Sequence, residues 1–232
     1  MLAGCSAVNE GGGTAAAPTT SVQTLEYYPY LVKGYQNSYP RKTIQILIPT
    51  DARNDAGVPM NGDPAIGIVD DQSGGVIERL YSPPLGPILQ AAIGRSADEA
   101  GLSASSSTDV AYKPRLKNSV EYVLESKIRR CWVKKALGTS GQNGPVSRTT
   151  ADVALDVSIY KPPFSVPFWT GTANATYDDP PVGSFGLGSE DEAGIYDEPG
   201  QVLSVALTRS VAAIFQRQDL RNLMLEDDIK SH

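Results

Sequence analysis

Val120-Glu121-Tyr122-Val123-Leu124-Glu125-Ser126-Lys127-Ile128-Arg129-Arg130-Cys131-Trp132 is the stretch on which the fold turns. Val120, Tyr122, Leu124, Ser126, Ile128, Arg130 and Trp132 fall on one side of a period of two, and Glu121, Glu125, Lys127 and Arg129 on the other. Successive side chains of a strand point to opposite faces, so this pattern predicts a long strand with one buried and one wet face. Burial of one face only is the habit of antiparallel sheets. Ala151, Val153, Leu155, Val157 and Ile159 alternate with Asp152, Asp156 and Ser158 in the same way, beyond a loop containing Gly138, Gly141, Asn143 and Gly144. Trp169, Gly171, Ala173, Ala175 and Tyr177 alternate with Thr170, Thr172, Asn174 and Thr176 after a bend at Pro162, Pro163 and Pro167. The three runs predict a meander.

Working outward, Thr43 to Ile48 is a β-branched run closed by Pro49, the signature of a largely buried strand. Asp51 to Asp63 is crowded with Asp, Asn, Gly and Pro and reads as a loop, and Ile66 to Val69 as a short strand. Pro83 and Pro84 precede a helical stripe of Leu85, Ile88, Leu89, Ala92, Ile93, Ser96, Ala97 and Ala100 that stops at Gly101. Beyond an acidic, glycine-rich loop from Asp178 to Glu198, Pro199 opens a second stripe of Leu203, Leu207, Val211 and Ile214. That helix is predicted to reach about Gln218, with a short turn around Leu220, Leu223 and Met224 covering an edge. The order β-α-β-β-β-α predicts an α+β two-layer sandwich: a mostly antiparallel sheet with two helices on one face.

At 232 residues the chain fills one core well. A net charge of −6 with scattered Lys and Arg excludes the clustered cations on which nucleic-acid affinity rests. No apolar run approaches the roughly 20 residues that span a bilayer.

The N-terminus carries a different kind of signal. Leu2-Ala3-Gly4-Cys5 matches, at all four positions, the lipobox at which a bacterial lipoprotein signal peptide is cut and its cysteine acylated. The charged and apolar segment of such a signal is then expected upstream of Leu2. Each buried methylene of an acyl chain contributes about 0.8 kcal/mol, one chain holds marginally, and stable attachment takes two or more. Residues 6–24, rich in Gly, Ala, Ser and Thr, have little to bury and read as a tether, reaching roughly 25 Å as a flexible chain. The expected organisation is a lipobox and tether over 1–24 and one globular domain over 25–232. Ser6, in place of Asp after the cysteine, resembles the pattern of lipoproteins sorted to the outer membrane. The implied address is the periplasmic face of the outer membrane of a Gram-negative bacterium.

Lipobox, spacer, the helix ending Ala100-Gly101-Leu102, the long paired strands and the final amphipathic helix together resemble YajG-like and ABC-transport auxiliary lipoproteins, over about residues 40–220. The resemblance implies an accessory envelope protein with no catalytic residues to carry over. The long 51–80 and 178–198 loops depart from that pattern.

Little in the sequence points to catalysis. The single histidine, His232, is terminal, so a Ser-His-Asp or Cys-His arrangement lacks its base. Cys5 and Cys131 do not read as a disulfide pair. Cys131, flanked by Arg129, Arg130 and Lys134, falls on the strand face opposite the apolar one; it is either a reactive thiolate or an inert buried thiol. Zinc lacks a ligand cluster. Asp51, Asp55, Asn61 and Asp63, or Glu190, Asp191 and Glu192, offer oxygens without the regular spacing of a calcium loop. Gly11-Gly12-Gly13 and Gly74-Gly75 lack the strand-to-helix context of a phosphate cradle. No cofactor and no enzyme activity are expected. Tyr27, Tyr28 and Tyr30, where the tether meets the domain, either close the core or dock a neighbour. The leading expectation is therefore a lipid-anchored adaptor, held to the membrane by acyl chains on Cys5, that engages another envelope protein or itself as a homo-oligomer. The competitors are a ligand-binding periplasmic lipoprotein, which needs an apolar pocket, and a polysaccharide-acting enzyme pairing Asp178-Asp179 with Asp70-Asp71, which needs carboxyls roughly 5–10 Å apart.

Overall fold

The alternating stretch runs from Tyr122 to Leu137 as a single strand, β7, and every other part of the sheet is organised along it. A computed structural model of the chain describes residues 17–32, 34, 38–53, 65–114, 119–138, 147–179 and 198–231. Along its whole length β7 pairs antiparallel with β8 (Ser147–Tyr160), which pairs antiparallel with β9 (Pro167–Asp179). The predicted meander is present. On β8 each predicted inward residue, from Ala151 through Ile159, is buried.

The other side of β7 is shared by shorter strands, and here the sheet is mixed. β2 (Thr43–Ile46) and β3 (Thr50–Asp51) run parallel to the first half of β7, and β4 (Gly67–Asp70) runs parallel to the second half. β6 (Ser103–Ser106) lies parallel outside β2. β5 (Val76–Tyr81) is antiparallel to β4, and β1 (Thr19–Val22) is parallel outside β5. The nine-stranded sheet is thus forked: one long meander, and two short arms leaving opposite halves of β7. β1, β3, β5 and β6 were not predicted. β1, β3 and β6 run only two to four residues, too short for a period to show, and β1 falls within the stretch whose composition reads as tether.

α1 (Leu85–Ala100) and α2 (Pro199–Phe215) pack on each other and on the sheet, α1 toward β2 and β6, α2 across β8 and β9. α1 ends as predicted at Gly101, whose φ of +103° is left-handed and suits a residue without a Cβ. Leu85, Leu89, Ala92, Ile93, Ser96, Ala97 and Ala100 form its buried stripe. The turn predicted near Leu220 is a full helix, α3 (Gln218–Ser231), which buries Leu220 and Met224 and leaves Leu223 and Leu225 partly exposed.

One feature of β7 corrects the sequence reading. The pairing with β8 shifts register between Ile128 and Arg130, so Arg129 and Arg130 both face outward. An extra residue in one strand reverses the alternation beyond it. Past the bulge Cys131 and Val133 point into the core and Trp132 points out, half-buried, opposite to the phase carried on from Tyr122.

Candidate interaction site at the chain entry

The segment joining β1 to the body of the domain is where the tyrosine cluster lies, and it is fastened along α2. The backbone N–H of Gln23 donates to the Tyr81 carbonyl at 2.7 Å, continuing the β1–β5 edge. Its side-chain Oε1 accepts from the Gly200 N–H at 3.1 Å, satisfying an amide that the first turn of α2 leaves without an intrahelical partner. One helical turn on, the Ser204 hydroxyl accepts from the Glu26 N–H at 2.9 Å; one turn further, Thr208 accepts from the Tyr28 N–H at 2.9 Å. Gly200, Ser204 and Thr208 are spaced by four and stack on one helix face, so they form a ladder of small acceptors and donors for an extended strand of chain. Ser204 and Thr208 are fully buried in a mostly apolar helix, as is Ser210, whose hydroxyl donates to the Ala173 carbonyl at 3.1 Å.

This ladder sorts the three tyrosines. Tyr27 is turned into the core and its hydroxyl donates to Glu99 of α1 at 3.0 Å. Tyr28 lies partly buried; burial, with Glu26 nearby, raises its pKa. Tyr30 is 63% exposed, and its ring meets that of Tyr28 with centroids 5.7 Å apart. A 3-10 turn, Pro29–Leu31, presents it. Tyr27 therefore closes the core, and Tyr30 is the residue offered to solvent.

Two open grooves flank the segment. The larger, about 700 Å³, is bounded by Val22 and Ile77 of the β1–β5 edge, by Tyr28, and by Glu26, Glu78 and Glu198. The smaller, about 470 Å³, lies between Tyr27 and the Ile88, Ala91 and Arg95 face of α1. Both are open and lined by more polar than apolar surface, unlike the mostly apolar pockets that hold small molecules.

The other sequence candidates are placed as follows. Cys5 lies outside the described residues, as do Asp55, Asn61, Asp63, Glu190, Asp191, Glu192 and His232. Asp51 is held by Arg53, whose guanidinium also donates to the Ala65 and Cys131 carbonyls. Cys131 is buried, and burial pushes its thiol up to about 12, against the weaker pull of Arg53. The exposed, cation-activated thiolate is not what the fold makes. Asp70 pairs with Lys134 at 2.6 Å, and Asp178 pairs with Arg148, which holds its carboxyl below the usual range. Those two acids sit at one end of the sheet on strands separated by β7 and β8, about 14 Å at roughly 4.8 Å per strand, and each is neutralised by its own cation. No pair of catalytic carboxylates is assembled there. Among the described residues no group of three or more His, Cys, Asp or Glu is placed to hold a metal ion, and no helix is long and apolar enough to cross a membrane.

No family model matches the chain, and no curated protein matches it. Among solved structures it is similar to a Xanthomonas campestris protein of family DUF330, at 14% identity and a TM-score of 0.48, covering 90% of this chain and 98% of that one. A candidate homolog of a neuraminyllactose-binding hemagglutinin from Helicobacter pylori gives 12% identity and a TM-score of 0.45, covering 87% and 96%. A candidate lipoprotein from Caulobacter crescentus CB15 gives 11% identity and 0.29, covering 71% and 91%. Overlaps of this size carry no statement about what the chain does.

Proposed function

We propose that the protein is a lipid-anchored accessory component of the bacterial cell envelope, acylated on Cys5 and facing the periplasm, where it binds another envelope protein without catalysing a reaction. The observation that carries this reading is Leu2-Ala3-Gly4-Cys5, followed by a stretch whose sequence has almost nothing to bury. The entry segment supports it. A domain tied to a membrane through its N-terminus bears the pull of the tether at that point, and the Gln23, Glu26 and Tyr28 contacts with α2 fix the chain there. Tyr30 and the neighbouring groove supply an aromatic contact surface beside the attachment.

The test uses the natural gene expressed in its own host. Metabolic labelling with a palmitate analogue should mark the protein, and Cys5→Ala should abolish the label and release the chain from the membrane fraction. Label retained by the alanine variant overturns the anchor. A photo-crosslinking residue at Tyr30 should give one defined adduct in intact envelopes, and the same residue at Thr172, on the far side of the sheet, should not give that adduct. Identical adducts from both positions refute the entry segment as the docking face.

A further inference from the structure

We infer that β9 is a self-pairing edge through which two copies of this chain join their sheets. Among the described residues the forked sheet has outer strands at β1, β3, β6 and β9, and they are very unequal: β1 and β6 have 4 residues each, β3 has 2 and β9 has 13. Exposed edges in soluble proteins are blunted by shortness, by charge, by proline or by bulges. β1 and β6 are short. β9 uses none of these devices between Phe168 and Tyr177, where the sequence Phe-Trp-Thr-Gly-Thr-Ala-Asn-Ala-Thr-Tyr holds no charged residue and no proline. Its register with β8 is unbroken from Trp169 to Asp179, and among the described residues it pairs with β8 alone. The neighbouring strands are charged on the same outward face, with Lys127, Arg129, Lys134, Arg148 and Asp156 exposed or half-exposed.

The edge is complementary to itself. In an antiparallel pairing with its axis at Ala173, Thr172 faces Asn174 of the second copy, Thr170 faces Thr176, and Phe168 faces Asp178. No like charges meet, and Asp178 keeps Arg148 of its own chain. Threonine pairs across strands are favourable in such a ladder. The helices also fit. α2 packs beneath β8 and β9, about one strand spacing of ~4.8 Å from the joint, which brings the two α2 helices to ~10 Å, a normal packing distance. Arg209 lies over Tyr177, four residues from the axis, so the two guanidiniums stay apart.

The test is the mass of the full chain in solution, carrying Cys5→Ser so that acylation plays no part. Sedimentation equilibrium across the micromolar range should give twice the mass of one chain. T172K/N174K places lysines opposite one another in both halves of the joint, on exposed positions, and should weaken dimerisation roughly tenfold or more with an unchanged thermal melt of the monomer. T172E/N174E should do the same alone, and an equimolar mixture of the two variants should recover the dimer. A wild-type chain that stays monomeric overturns the inference. So does a lysine variant that dimerises as well as the wild type, because its joint then lies elsewhere. Neither outcome touches the acylation of Cys5.

Discussion

Gly171 and Trp169 show how one residue choice fixes another. The two sit on the same face of β9, and the Trp169 ring lies back over Gly171, so that a Cβ there would come within 2.5 Å of the ring. In that pose the indole N–H donates to Asp219 at 3.0 Å, at the start of α3, and Arg217 lies 5.8 Å over the ring. Gly171→Ala should drive the indole out and break the Trp169–Asp219 tie between β9 and α3. The expected cost is about 1–3 kcal/mol of overpacking plus about 1 kcal/mol for the lost hydrogen bond. Urea titration should show it as a lower midpoint, and Trp169 fluorescence should shift red in the folded baseline. An unchanged midpoint would mean that the ring has room to move. Cys131 is the contrasting case. Its burial predicts that a thiol reagent leaves it unmodified in the native chain and reacts within seconds in denaturant, and rapid native modification at neutral pH would contradict the placement.

At the scale of elements, α3 is fastened by its acids as well as by the buried Leu220 and Met224. Asp219 bonds Arg217 and Trp169, Asp227 bonds Lys161 and the Tyr122 hydroxyl, and Asp228 bonds Lys42 at 2.9 Å. Arg217, then Trp169, holds the Asp219 carboxyl well below the ordinary range. Burial works to raise Asp227, and Lys161 and Tyr122 outweigh it, so its pKa is lowered as well. A carboxyl with a depressed folded pKa contributes stability above its unfolded value, near 3.9, and loses it as pH falls through the folded value. α3 should therefore loosen below about pH 4 ahead of the sheet, and hydrogen exchange at stepped pH should show its amides losing protection first. Simultaneous loss in α3 and β8 would refute an independent latch. Apart from Arg217–Asp219, these ties join residues far apart in sequence, such as Tyr122 and Asp227, and period alone does not reveal them. What was legible is the local pattern: the β8 alternation, the α1 stripe and its Gly101 stop. Three things were not. The bulge at Ile128/Arg130 reverses the face of Cys131 without any breaker residue to announce it. The short strands β1, β3 and β6 borrow their conformation from neighbours. The hydroxyls of Ser204 and Thr208 read as helix residues of no consequence, although two buried polar groups four apart on one face of a mostly apolar helix are the trace of a polar partner lying across it.

For the whole molecule, the entry segment decides whether the proposed tether would hang from the domain or be built into it. Leu25 and Tyr27 are both buried, and each contributes about 1.5–3 kcal/mol through the area it removes from water. The hydrogen bonds of Gln23, Glu26 and Tyr28 to α2 and β5 add about 1 kcal/mol each. Ordering some half-dozen backbone residues takes back about 1–2 kcal/mol apiece, a sum of the same size, so the segment stays docked on a margin of at most a few kcal/mol. Against the 5–15 kcal/mol that holds a typical domain together, even about 1 kcal/mol of that margin is measurable. Chains beginning at Thr19 and at Pro29 should accordingly differ in urea midpoint, the shorter being the weaker, and Ser204→Ala with Thr208→Ala in the full chain should reproduce part of the deficit. The double variant also separates two kinds of anchorage, because it leaves Leu25 and Tyr27 in place and removes only the acceptors for Glu26 and Tyr28. If the segment were held by its apolar side chains alone, the double variant would keep the wild-type midpoint and the protection of the residue 26 and 28 amides, and the ladder on α2 would be incidental to where the entry segment is fixed.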